Sequence, residues 1–253
     1  MADPATFLTL AIEASNPSAA ADGSGPGVAI GFVGARPGEP SHPDPSHRDP
    51  CRLLGVEMLR SAARHDDDLM PAVDRLWSRL AAEGFVRDKT DLARIAVSIG
   101  PGGYTGLRVA VVAAKCIAEA VGALCVPVPS ASVVARRAAP DLPRPFAVAL
   151  ASKRETTVVT VFDGPDAVRA PAREIDADAL EALGCRALIA DRFLPDTIRS
   201  RCAALAIRTD APVFDPAACL EAASHIDPID PAHLAPLYGR EPEAVRKWRE
   251  LHG

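Results

Sequence analysis

The chain has 253 residues, 48% of them hydrophobic and 24% charged, the composition of an ordinary folded protein with length for one large domain or two small lobes. A formal charge of -5 gives no global drive toward nucleic acid or an anionic membrane, so any RNA contact needs a local patch or a basic partner. Six cysteines without C-x-x-C spacing indicate neither a zinc site nor a redox pair and read as reduced cytoplasmic thiols. The opening MADPATFLTL lacks a basic start followed by an apolar stretch, and no apolar run approaches the roughly 18 residues that span a bilayer.

In chain order, FLTLAI (7–12) and GVAIGFVG (27–34) fit buried strands, separated by the turn-rich NPSAAADGSGP. Residues 35–50, ARPGEPSHPDPSHRDP, are too rich in proline for a ladder or a helix and read as an exposed loop. A third strand is expected at 53–59. Asp66, Asp67 and Asp68 then cap a helix running to about residue 82, with Pro71 near its start. Leu69, Val73, Leu76 and Leu80 form its main stripe, and Met70 with Trp77 a second one beside it, more than one core face requires.

DLARIAVSI (91–99) is the next strand. After the turn SIGPGGYTGLR (98–108), a helix over 104–121 is apolar nearly all round, with only Arg108, Lys115 and Glu119 charged. ALCVPV (123–128) closes the first half, and PDLPRP (140–145) is a linker. The second half repeats the alternation more weakly: PFAVAL and TTVVTVF as strands, a helix near 176–183, then CRALIA and LAIRT as strands. In the tail EPEAVRKWRELHG, Ala244, Trp248 and Leu251 share a helical face, which is expected to dock on a lobe.

The glycine turn has two readings. A strand, a glycine turn and a helix start converge free backbone N–H groups and make an anion site, with Gly102, Gly103 and Glu13 as contacts. Alternatively the glycines permit a tight, closely packed connection. Neither well-known phosphate fingerprint fits: Gly106 is followed by Leu107 and Arg108 and not by Lys and Ser or Thr, and the third glycine of a dinucleotide turn is displaced.

The segment IGPGGYTGLRVAVVAAKCIAEAVG resembles the G-P-G-S-(F/Y)-T-G-L-R segment of the TsaB (YeaZ) family and the helix after it. LTLAIEAS is similar to that family's opening L-x-I-D-T-S, RHDDDLMPAVDRLW to its H-x-x-x-L-(L/M)-P-x-I, and LAPLYGREPEAV to its closing P-x-Y-(L/G)-R-x-P, all in family order. The resemblance implies an α/β fold of the ASKHA type, related to actin, Hsp70, sugar kinases and ribonuclease H, with a degenerate second lobe. It divides the chain into a first lobe (1–128), a second (129–235) and a C-terminal helix (236–253).

It further implies a subunit that is not itself catalytic. Such a subunit activates a TsaD-like partner that transfers threonylcarbamoyl to the adenosine beside the anticodon in tRNA, with a TsaE-like ATPase joining. ATP and a divalent metal are then expected in the partners, with no cofactor here. The implied partner surface lies on the two first-lobe helices, at Leu69, Val73, Leu76, Thr105, Arg108, Val111 and Val112. An active ATP-dependent enzyme and a free-standing homodimer are the alternatives.

The sequence departs from the family pattern at Glu13, where aspartate is usual, and at Ala151, where the family's D-A-R-x-x-E-V-Y reads ASKRETTVV. His42 and His47 miss H-x-x-x-H spacing by one, so no metal role is assigned to them. His65 matches a family position and equally reads as support for the helix start. Asp66 to Asp68 read as a solvated helix start, and Ser15, Ser98 and Ser130 lack a G-x-S-x-G context.

Overall fold

The structure is a computed structural model that describes residues 7–16, 25–34, 51–60, 65–239, 248–249 and 251–252. The loop bearing His42 and His47 lies outside the described residues, as do the side chains of His65, Asp66 and Asp67.

Strands β1 (Phe7–Glu13), β2 (Gly27–Val33), β3 (Arg52–Met58), β4 (Arg94–Gly100) and β5 (Leu124–Pro129) form one sheet in the order β3-β2-β1-β4-β5. β2 runs antiparallel to β1 and β3, whereas β1, β4 and β5 are parallel. Strand alternation sorts side chains by size. Leu8, Leu10, Ile12, Ile30, Ile95 and Val97 point to the face covered by helices α1 (His65–Ala82) and α2 (Tyr104–Val121). On the other face Ala29, Ala11 and Ala96 lie in one row across the sheet. That low row admits the short, apolar helix α5 (Pro216–Ala223) so closely that Leu220 sits 2.7 Å from where a Cβ on Gly31 would stand.

The second sheet has the order β10-β9-β6-β7-β8, from β6 (Phe146–Lys153), β7 (Thr156–Gly164), β8 (Ala167–Ile175), β9 (Ala187–Ala190) and β10 (Arg208–Asp210). Substituting each strand's successor five places on reproduces the order, and the parallel and antiparallel pairings match too. The chain is therefore one unit used twice. Its second copy is reduced: where α1 connects β3 to β4, only a 3-10 turn (Glu181–Leu183) connects β8 to β9, and the nine-residue α4 (Asp196–Ala204) replaces the eighteen-residue α2. The helix expected near 176–183 is that 3-10 turn.

Helix α3 (Ser130–Arg136) is shared between the copies. Val133 enters the core under the first sheet, while Ala131, Val134 and Ala135 pack with Phe146 and Val148 of the second. Because α5 covers the first sheet, the expected boundary of the second lobe at 235 is corrected: the chain returns to the first lobe at Pro216. Residues 229–238 stay there. Ile229 and Cys125 exchange backbone hydrogen bonds of 2.7 and 2.9 Å, and Lys115 Nζ donates to the carbonyls of Ala232 and Leu234. The expected docking of the tail face is not observed, since Trp248 and Leu251 are 63% and 79% exposed.

Candidate functional site

The glycine turn is held from two sides. Gly103 N–H donates to the Ser15 carbonyl at 2.6 Å, and a Cβ on Gly102 would stand 2.1 Å from that same oxygen, so only glycine lets the turn lie against the end of β1. On the other side, Leu237 N–H donates to the Ile99 carbonyl at 2.7 Å. Gly100, at φ 111°, carries a backbone that L side chains avoid, and the Leu237 carbonyl fills the space a Cβ would need. The anion reading loses its donor at Gly103, whose N–H is committed to protein. The tight-connection reading describes this turn.

Glu13 is fully buried. Its Oε1 accepts from Ser15 N–H at 2.8 Å and Ser15 Oγ at 2.6 Å, while Oε2 has no hydrogen-bond partner. Burial raises its pKa against the opposing pull of the Ser15 bonds, with Asp215 adding to the rise. Ser98 and Ser130 hydroxyls pair with one another at 2.8 Å, and Ser15 is spent on Glu13, so all three serines are structural. Among the described residues no group of three His, Cys, Asp or Glu side chains is placed to hold a metal ion. Ala151 sits at φ 53° where the β6–β7 register shifts.

Asp68 differs from the solvated helix start expected of it. It is buried, accepts from Arg60 N–H at 2.7 Å, and takes both Nη groups of Arg75 at 2.9 Å. Those Arg75 bonds, ahead of the Arg60 amide, hold its carboxyl down at about 2. Arg75 Nε also binds Glu57 on β3, and Pro71 is accommodated within the second turn of α1.

The two first-lobe helices differ from each other. On α1, Leu69, Val73, Leu76 and Leu80 are all core, at 6% exposure or less, and Trp77 joins them, leaving Met70 as the exposed apolar residue of the second stripe. Leu69, Val73 and Leu76 are thus corrected from partner contacts to core, as is Val111 on α2, because the sheet beneath consumes them. Thr105, Arg108 and Val112 are exposed as expected.

α2 carries two apolar stripes. Leu107, Ala110, Val111, Ala114 and Ala118 face the sheet. Beside them, Val109, Val112, Ala113, Cys116, Ile117 and Ala120 line a groove of about 630 Å³ with Met70 and Arg108, with Val109, Ala113 and Ile117 also packed against the edge of the core. Val112 is 58% exposed. Six of these eight residues were absent from the expected surface, although Arg108, Val112, Cys116 and Ala120 recur every four residues and so mark one helix face. At the N-terminal end of the groove the Arg108 guanidinium lies 4.0 Å over the Tyr104 ring, and Arg108 Nε donates to the Tyr238 hydroxyl at 2.9 Å. The two tyrosine rings are 5.5 Å apart.

Comparison with known proteins bears on this arrangement. No curated protein sequence matches the chain. Two solved structures align over 92% of it at 15% identity. One is an uncharacterized Pseudomonas aeruginosa protein with similarity to the peptidase YEAZ, covered over 100% of its length at TM-score 0.63. The other is YeaZ from Pseudomonas aeruginosa, covered over 99% at TM-score 0.61. At that identity they show a shared fold. The family model for TsaD, tRNA N6-adenosine threonylcarbamoyltransferase, matches residues 55–184, just over half of the chain, a span from β3 to the 3-10 turn of the second lobe. The chain belongs to the TsaD family, as a member with the YeaZ (TsaB)-like fold.

Proposed function

We propose that this chain is a non-catalytic subunit of the tRNA threonylcarbamoyl-transfer machinery, which holds and activates a TsaD-like catalytic partner through the outer face of α2. Family membership supports the role in modifying adenosine of tRNA. The observation that carries the scaffold reading is the second apolar stripe of α2. Val112, Cys116 and Ala120 gain nothing by facing water, and a contiguous exposed apolar groove is the signature of a docking surface. The buried carboxyl of Glu13 and the committed amide of Gly103 speak for the same division of labour, with ATP, metal and the TsaE-like ATPase assigned to the partners and tRNA contact to the assembly.

The test is pull-down and sedimentation with the TsaD-like protein of the same genome, comparing wild type with Val112→Glu plus Ala120→Glu. Both positions line the groove and are exposed, so the variant keeps its fold. Binding lost in that variant supports the reading; a folded wild type that does not bind ends it. Self-association of the isolated chain, lost in the same variant, would favour the homodimer.

A further inference from the structure

Arg108 stands at the N-terminal end of the α2 groove, immobilised but without a counter-ion among the described residues. Its guanidinium is stacked 4.0 Å over the Tyr104 ring, and its Nε donates to the Tyr238 hydroxyl at 2.9 Å. The Tyr238 ring packs in turn against Tyr104, and the residue before it is pinned to the glycine turn by the bond from Leu237 N–H to the Ile99 carbonyl. Two contacts thus fix the plane of the guanidinium and one of its edges. Its Nη groups make no hydrogen bond among the described residues, and the side chain is exposed. No acid stands in the first turn of α2, and the helix's one carboxylate, Glu119, lies about three turns further along. We propose that Arg108 is a preorganised fork for a carboxylate of the TsaD-like partner, taken by the two Nη groups side by side while the partner's apolar face fills the groove. This deepens, and rests on, the reading of that groove as the partner surface.

The physical argument is one of preorganisation. A free arginine loses rotamer freedom when it binds, whereas the two tyrosines have already removed that freedom here. With Nε engaged, the open edge is the pair of Nη groups, whose parallel N–H bonds match the two oxygens of a carboxylate. A phosphate of tRNA offers similar oxygens, but the surroundings favour a protein. Nucleic acid is held by several cations along its backbone, and Arg108 is the one charged residue among those lining the groove. Lys115, the other cation of α2, is engaged by the carbonyls of Ala232 and Leu234. Val112, Cys116 and Ala120 continue from Arg108 along the same helix face, so whatever meets the fork also meets about 18 Å of apolar surface. That combination fits an apolar helix face with Asp or Glu at one end, whose carboxylate sets the register of docking.

The experiment is calorimetric titration of the full chain with the TsaD-like protein of the same genome, comparing wild type with Arg108→Gln, Arg108→Lys and Tyr238→Phe. Both replaced side chains are exposed, so the variants keep their fold. Arg108→Gln is expected to weaken binding about 10- to 100-fold, and Arg108→Lys about 5- to 50-fold, because an ammonium neither forks nor stacks as a guanidinium does. Tyr238→Phe keeps the ring but frees Nε, and a loss of about 2- to 5-fold is expected. Among Asp→Asn and Glu→Gln variants of the partner, one is expected to weaken binding to wild type and not to Arg108→Gln. Wild-type affinity in Arg108→Lys overturns the fork, as does a partner in which every acid acts independently of Arg108. Normal partner binding by Arg108→Gln, with loss of tRNA from the assembled complex, also overturns it by assigning the guanidinium to a phosphate. If Val112→Glu plus Ala120→Glu abolishes binding and Arg108→Gln does not, the groove stands and the fork falls; if the folded wild type does not bind, both fall.

Discussion

Glu13 is a carboxyl buried completely at the end of β1. Its carboxyl is satisfied on one oxygen only, and burial favours the protonated form. Because its folded pKa lies above the unfolded value, the folded state binds more protons, and stability falls as pH rises past about 4.5. Replacement by Gln keeps the shape and removes the charge. Urea unfolding across pH 5 to 8 is expected to show a downward slope in wild type that Glu13→Gln flattens. A variant that keeps the slope would place the titrating group elsewhere. Asp68 works in the opposite direction, since its depressed pKa contributes stability above pH 3.8 that is lost as pH falls toward 2. Gly102 is constrained by geometry alone. In Gly102→Ala the new methyl meets a carbonyl that Gly103 also binds, so neither can retreat, and a loss of about 3 kcal/mol is expected in the same unfolding measurement.

Elements were legible in the sequence to the degree that they bury one face and expose the other. α2 spans 104–121 as its periodicity predicts, and β1, β2 and β4 follow their apolar runs within a few residues. β8 was not read, because an edge strand exposed along seven of its nine residues, with Arg169, Pro171 and Arg173 in it, lacks the alternation that marks a strand. α5 was missed for the converse reason: eight residues buried almost throughout carry no polar face to set a period. On α1 and α2 the sequence showed surplus apolar residues but not which of them the sheet would use, since stripe width is visible in one helix and sheet position is not. The corrected assignment makes a paired prediction. Leu76→Ala, in the core, is expected to cost about 2–5 kcal/mol in chemical unfolding, whereas Val112→Ala stays within about 0.5 kcal/mol and weakens partner binding instead. Equal stability losses at the two sites would mean that the groove is part of the fold.

At the scale of the whole molecule, the duplicated topology suggests two lobes that fold separately, and the packing argues otherwise. The face of the first sheet formed by Ala11, Ala29, Val33, Ala96 and Val126 is covered by Ala218, Cys219 and Leu220, which follow the entire second lobe in sequence. α3 places side chains in both cores, Asn16 after β1 bonds the buried Asp191 after β9, and Gly239 packs against Val158 of β7. The first lobe therefore lacks half of its core until the chain has passed through the second and returned. A fragment of residues 1–128 exposes that alanine row to water with nothing to replace α5. It is expected to show no cooperative thermal transition by circular dichroism, while the full chain melts in a single one whose calorimetric and van't Hoff enthalpies agree. Leu220→Ala in the full chain tests the same coupling from the other end. Its lost packing, about 2–5 kcal/mol, is expected to lower one shared transition, because the helix it weakens closes a core that both lobes need. If that variant instead splits the melt in two, or if residues 1–128 melt cooperatively alone, the return of the chain is decoration on an autonomous lobe, and partner binding should then survive in the fragment.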